Sequence, residues 1–189
     1  MPMRKHLSLL LVVVCTAVCL APGCRSTIGS FVHLRPDYAG LPTQTLEATA
    51  AEIEAAVEDG NRAAELADRE DCVLSANVRQ AIRTRAARIE LVDRLRDAGF
   101  AYERRNGRLS LLRSSAYKKA TTRQDRDRNA MLIMGENDDR WVIYEGILDA
   151  NGYPPKSLSA IQAIFFETRK DLLDPGQLYE NEAGDPITK

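Results

Sequence analysis

The stretch from Met131 to Ala150 reads MLIMGENDDRWVIYEGILDA, and its periodicity sets the fold class. Ile133, Asn137, Trp141, Tyr144 and Leu148 recur at helical spacing and make one stripe. Twenty residues without proline, in a strong helical period, predict the central core helix, extending back to Ser115. The first half of that helix, Lys118 to Arg128, is almost wholly polar, so a break or disorder is expected there. Asn151-Gly152 and Pro154-Pro155 end the helix in a turn.

Three further helices follow from the same reasoning. Thr45 is placed to cap a first helix whose stripe is Leu46, Ala50, Ile53, Val57, Ala64 and Ala67, with Gly60 as an interruption. A second runs from about Leu74 to the stop at Gly99, with Val78, Ile82, Ile89 and Val92 inward and Leu91 and Leu95 widening that face. Arg79, Arg83, Arg85, Arg88, Arg94 and Arg96 cover the rest of it; such a face suits an anionic partner, and the favoured reading is a solvated face paired with nearby acids. A last helix, capped by Ser157 or Ser159, reaches about Leu173 and buries Ile161, Ile164, Phe165, Thr168 and Leu172. Asn106-Gly107 predicts a hairpin turn, and Leu178-Tyr179 before Ala183-Gly184-Asp185 predicts a second hairpin beside it. The expected architecture is a mainly α domain of about four helices with one or two short β-hairpins.

The N-terminus carries a different pattern. Arg4 and Lys5 precede an uncharged apolar run from Leu7 to Leu20. Spanning a bilayer takes about 20 helical residues, so this shorter run reads as a signal peptide over residues 1–23. Leu20-Ala21-Pro22-Gly23-Cys24 resembles the lipobox of bacterial lipoproteins, which implies acylation of Cys24. Ala21-Pro22-Gly23 also fits an ordinary small-x-small cleavage site. Residues 24–44, with Gly29, Pro36, Gly40 and Pro42, read as a tether, and 45–189 as the helical domain. Such a chain is expected at the periplasmic face of a membrane. Arg25, in place of the Asp that marks inner-membrane retention, favours the outer one.

Without Arg4 and Lys5, the 26 basic and 27 acidic residues become 24 and 27, a balance of −3, which argues against nucleic acid as partner. With aromatics at 6%, a sugar-stacking cleft has little to build on. His33, alone after the signal, lies in the tether, so no Ser-His-Asp group can form around it. No cysteine–histidine spacing suits a metal and no glycine-rich phosphate loop is present, so neither cofactor nor metal is expected. With Cys24 acylated, Cys72 has no intramolecular partner and reads as a small packing residue. Glu103 and Glu136 are the acids that could cleave a glycosidic bond. Their structural reading is that Glu136 pairs with Arg140 one turn on, while Asn137 hydrogen-bonds a hairpin backbone.

Gly99-Phe100-Ala101-Tyr102-Glu103, Asn106-Gly107-Arg108-Leu109, Glu136 to Arg140 with Ile143-Tyr144, Ala150-Asn151-Gly152 and Asp174-Pro175-Gly176-Gln177-Leu178-Tyr179 occur in this order. Together they resemble the YdbL family of bacterial envelope proteins over about residues 79–189. Ala101 and Tyr102 stand where that family has a Gly before Glu. The resemblance implies a periplasmic accessory or assembly factor in outer-membrane lipid homeostasis that binds another envelope protein and catalyses no reaction. It marks Glu103, Asn106, Gly107, Glu136, Asn137, Arg140, Tyr144, Gly176 and Tyr179 as motif positions. A glycan-binding or glycan-cleaving wall protein, and a lipid carrier, are the competing classes.

Overall fold

The computed structural model describes residues 36–189. The expected signal peptide, Cys24, His33 and the tether up to residue 35 lie outside the described residues. The rest of the expected tether does not stand free. Leu41 packs against the core and Asp37 pairs with Lys156 at 2.9 Å.

The domain is mainly helical, with six α-helices and one small sheet among the described residues. They are α1 (Thr43–Glu58), α2 (Ala76–Ala86), α3 (Ile89–Asp97), α4 (Ser115–Ala120), α5 (Arg123–Ala150) and α6 (Leu158–Leu172). The strands are β1 (Ala101–Glu103), β2 (Leu109–Leu111), β3 (Leu178–Glu180) and β4 (Pro186–Thr188). The two expected hairpins join edge to edge in the order β2-β1-β3-β4, with β1 and β3 parallel. Glu103 faces Tyr179 in that register.

Local chemistry explains why six helices stand where four were expected. α1 starts at Thr43 behind Pro42 with no side-chain cap, so Thr45 is not the cap. It stops at Glu58, because Gly60 takes φ +63°. Left-handed backbone ends a helix, and Ala64 and Ala67 fall in the loop beyond. The second expected helix divides at Ala87-Arg88. Ser75 caps α2 by accepting from the Val78 N–H at 3.3 Å. Gly99, at φ +65°, closes α3 as Phe100 donates its N–H back to the Leu95 carbonyl at 2.8 Å. The polar segment breaks as expected. Thr122 and Asp125 exchange side-chain-to-backbone hydrogen bonds, and this capping box starts α5 afresh. A 3₁₀ turn, Pro155–Ser157, leads into α6, and the buried Ser157 hydroxyl caps nothing.

The core gathers Leu46, Ile53, Val57, Val78, Ile82, Val92, Ile143, Tyr144, Ile147, Ile161 and Phe165. Gly146 lets α5 lie close to α2, since a methyl there would sit inside the Val78 side chain. Two expected stripes rotate. On α6 the inward residues are Ala160, Ile161, Ile164, Phe165, Phe166 and Arg169, and Leu172 is exposed. On α5, Trp141 is only half-buried beneath Arg108, 5.7 Å from its ring, while Glu136 and Arg140 turn inward.

Candidate functional site

Those inward charges are not isolated. Four of the core helices contribute charged residues where their apolar period calls for hydrophobic ones, among them Glu54 beside Ile53 on α1, Arg85 one turn after Ile82 on α2 and Arg169 one turn after Phe165 on α6. β1 adds Glu103, and α5 adds Glu136 and Arg140. All six are at most 1% exposed. The expectation that Arg85 and Arg96 lie on a solvated face is therefore corrected, for both are buried.

The six side chains close a ring of alternating charge. Arg85 holds Glu54 with two parallel bonds of 2.9 and 2.8 Å, and its Nε reaches Glu136 Oε1 at 2.8 Å. The Arg140 Nε donates to the same Glu136 oxygen at 2.8 Å, and its two terminal nitrogens grip Glu103 at 2.6 and 2.9 Å. Arg169 then bridges Glu103 at 3.1 Å to Glu54 at 2.8 Å, which closes the circuit. Three guanidiniums and three carboxylates cancel. No nitrogen or oxygen of the ring lacks a partner, the condition under which buried charge is tolerated.

The hairpin turn plugs one side. The Gly107 carbonyl accepts from Arg169 at 3.0 Å, Arg140 at 3.3 Å and the Tyr144 hydroxyl at 2.8 Å. Gly107 sits at φ +78°, and an added Cβ would lie 3.0 Å from the Tyr144 ring, so only glycine suits this position. Asn137 clasps the same hairpin, accepting from the Leu109 N–H at 2.8 Å and donating to its carbonyl at 2.9 Å. Outside the ring, Arg88 touches Glu136 at 3.3 Å, the Gly135 carbonyl at 3.1 Å and Asp139 at 2.7 Å. Arg96 ties Glu58, at 2.8 and 2.9 Å, to Asp93.

The electrostatics follow from this geometry. Burial opposes ionisation of each ring carboxylate, but the neighbouring guanidiniums outweigh it. Arg140 and Arg169 hold Glu103 down to about 2. Arg85 and Arg140 hold Glu136 well below the usual carboxylate range, and Arg85 with Arg169 do the same for Glu54. Glu58 goes the other way: burial pushes it up in spite of Arg96.

Seven of the nine motif positions converge here. Glu103, Glu136, Arg140, Tyr144 and Gly107 form or plug the ring, Asn137 clasps the hairpin, and Asn106 accepts from the Arg108 N–H within the turn at 3.2 Å. Gly176, at φ +101°, belongs to an exposed turn away from it, and Tyr179 sits on β3 beside Glu103. Glu54, Arg85 and Arg169 complete the ring without having been marked. Their one signal is a charge falling on an apolar helical stripe.

As a glycan-cleaving pair, Glu103 and Glu136 are poorly arranged. The Arg140 guanidinium fills the space between them, and a general acid needs a raised carboxyl value, whereas both are lowered. Surface cavities of about 470 and 310 Å³ open elsewhere, the first around Gly40, Glu70, Asp71 and Tyr153, the second around Arg113, Tyr117 and Arg126. Among the described residues no three His, Cys, Asp or Glu side chains gather as metal ligands would, and no helix is long and apolar enough to cross a membrane. Cys72 is a fully buried free thiol that burial pushes up, in keeping with a packing role. Comparison with family models, with curated proteins and with solved structures finds no match to this chain.

Proposed function

We propose that the chain is a non-enzymatic envelope protein, tethered through Cys24 to the periplasmic face of a membrane, whose helical domain docks onto another envelope protein as an accessory or assembly factor. The resemblance to the YdbL family and the signal-like N-terminus support the compartment. The observation that carries the docking role is the division of α5. Its inner side bears Glu136 and Arg140, whose charges are spent within the ring. Its outer side exposes Met131 at 67%, Met134 at 57% and Val142 at 38%, residues three and eleven apart that share one face. Exposed methionine at such a spacing suits a surface that repacks against a partner.

The test has two parts. Mass spectrometry of the N-terminus in a membrane fraction should find Cys24 acylated; an unmodified residue at a plain cut removes the tether. A photo-crosslinking residue at Met131 or Met134 should capture one reproducible envelope protein, and the same residue at Glu90, on the exposed side of α3, should not. Equal capture from both positions would sink the docking role.

A further inference from the structure

Arg113, Lys118, Lys119, Arg123, Arg126 and Arg128 stand against only Asp125 and Asp127, a local balance of +4 in a chain of formal charge −1. Every ion pair among the described residues lies elsewhere. Asp125 is committed to Thr122 in the capping box. Arg123, Arg126 and Arg128 also occupy the first two turns of a long helix, where its partial positive charge repels them. Arg62, Arg83, Arg94 and Arg108 also lack an acid partner, but they are scattered along the chain, whereas these six cations fall within one short stretch around a helix start.

Between β2, α4 and α5 these cations border a cavity of about 310 Å³. Arg113, Lys118, Arg126 and one acid, Asp127, line it together with Leu111, Tyr117 and Ala130. The walls are held in place. Tyr117 is 2% exposed, packs edge-on against Phe100 and accepts a hydrogen bond from Asn129 at 3.2 Å. Arg126 is fixed by one donated bond to the Thr121 carbonyl at 2.6 Å, which leaves its other nitrogens for a ligand.

Convergent Arg and Lys recognise phosphate oxygens. The volume lies at the small end of ligand cavities, enough for a headgroup. The apolar wall suits the glycerol and first acyl carbons more than a bare ion, and Asp127 opposes a second negative charge, which favours a phosphodiester over inorganic phosphate. Lys119, Arg123 and Arg128 remain outside the cavity to meet neighbouring headgroups. We infer that this cavity receives the phosphodiester headgroup of an anionic phospholipid and lays the α4–α5 junction on a membrane surface. The site borders the docking face of α5, with Asp127 and Ala130 one turn before Met131 and Met134, and does not depend on a lipid at Cys24.

The full chain is titrated with phosphatidylcholine vesicles, with and without phosphatidylglycerol, so that any contribution of the apolar run Leu7 to Leu20 is common to all samples. Each basic residue near an anionic surface strengthens binding about fivefold. Phosphatidylglycerol should therefore raise the affinity tenfold or more, and Lys118→Glu with Arg126→Glu should abolish that gain. Lys118→Glu with Lys119→Glu, both exposed and outside the hydrophobic core, should reduce it tenfold or more with an unchanged circular dichroism spectrum. Arg62→Glu, an exposed residue of the loop after α1, should leave it unchanged within about twofold. Equal binding to both vesicle types, or a gain unaffected by the variants, overturns the inference. Saturable binding of inorganic phosphate at Tyr117 and Arg126 without any vesicle preference assigns the cavity to a soluble anion and likewise overturns it.

Discussion

The molecule uses arginine in two opposite ways. In the ring, Arg85, Arg140 and Arg169 are fully buried, matched one for one with carboxylates, and bridge four helices and the sheet. Around the α4–α5 junction, Arg113, Arg123 and Arg128 are exposed and Arg126 lines a surface cavity, and none of the four forms an ion pair among the described residues. Burial raises the cost of a mismatch in the first region, so its stoichiometry is complete. Solvent lowers that cost in the second, so a charge excess survives there and stays available to a ligand. The first cluster holds the fold together, and the second is the better place to look for a binding event.

Arg140→Met strikes this contrast hardest. It leaves Glu103 and Glu136 buried with a missing partner, and breaking a buried pair costs about 3–5 kcal/mol. Against a typical domain stability of 5–15 kcal/mol, urea denaturation should show a midpoint shifted far down or no folded baseline. Acid comes next. Glu103 binds its proton near 2 when folded against an ordinary 4.5. Its stabilisation is complete above about pH 5 and disappears as pH falls toward 2, a loss of about 3 kcal/mol from this group alone. Glu54 and Glu136 shift in the same direction and add to the loss. Unfolding free energies measured between pH 6 and pH 2 should fall steadily, and a flat profile would mean the ring is not ionised.

Smaller effects belong to the exposed region. Thr122→Ala removes the capping box and should cost about 1 kcal/mol, read as a modest drop in Tm. Arg123→Gln removes a charge that the α5 dipole repels, so stability should hold or rise by up to about 0.5 kcal/mol. A clear loss there would reveal an ion pair that the geometry lacks.

The legibility of the two regions in the sequence also differs. The mainly helical class, both hairpins, the Asn106-Gly107 turn, the Glu136–Arg140 pair and the Asn137 clasp follow from spacings of a few residues or from strong turn chemistry. The break inside Lys118 to Arg128 follows from its missing apolar period. Helix count failed where small local events outweigh periodicity: the left-handed Gly60, the turn at Ala87-Arg88 and the cap at Thr122. The ring was legible only at its one local contact. Its other bonds join residues 31, 37, 51, 66 and 115 positions apart, and sequence spacing carries no trace of such pairings. Read by amphipathic pattern, an Arg beside other Arg residues on α2 goes to solvent. Yet Arg85 follows Ile82 and precedes Ile89 on the buried stripe, and Glu54 and Arg169 break their stripes the same way. A charge on an apolar face was the available signal.

The central claim is that six residues act as one closed unit. It is tested most directly by a double-mutant cycle on Glu136→Gln and Arg169→Met, two members with no hydrogen bond between them, measured by urea denaturation at pH 7. Independent sites add within about 0.5 kcal/mol. A closed ring predicts that the second substitution costs much less once the first has opened it, with a coupling above about 1 kcal/mol. Simple additivity of the two losses would contradict the account.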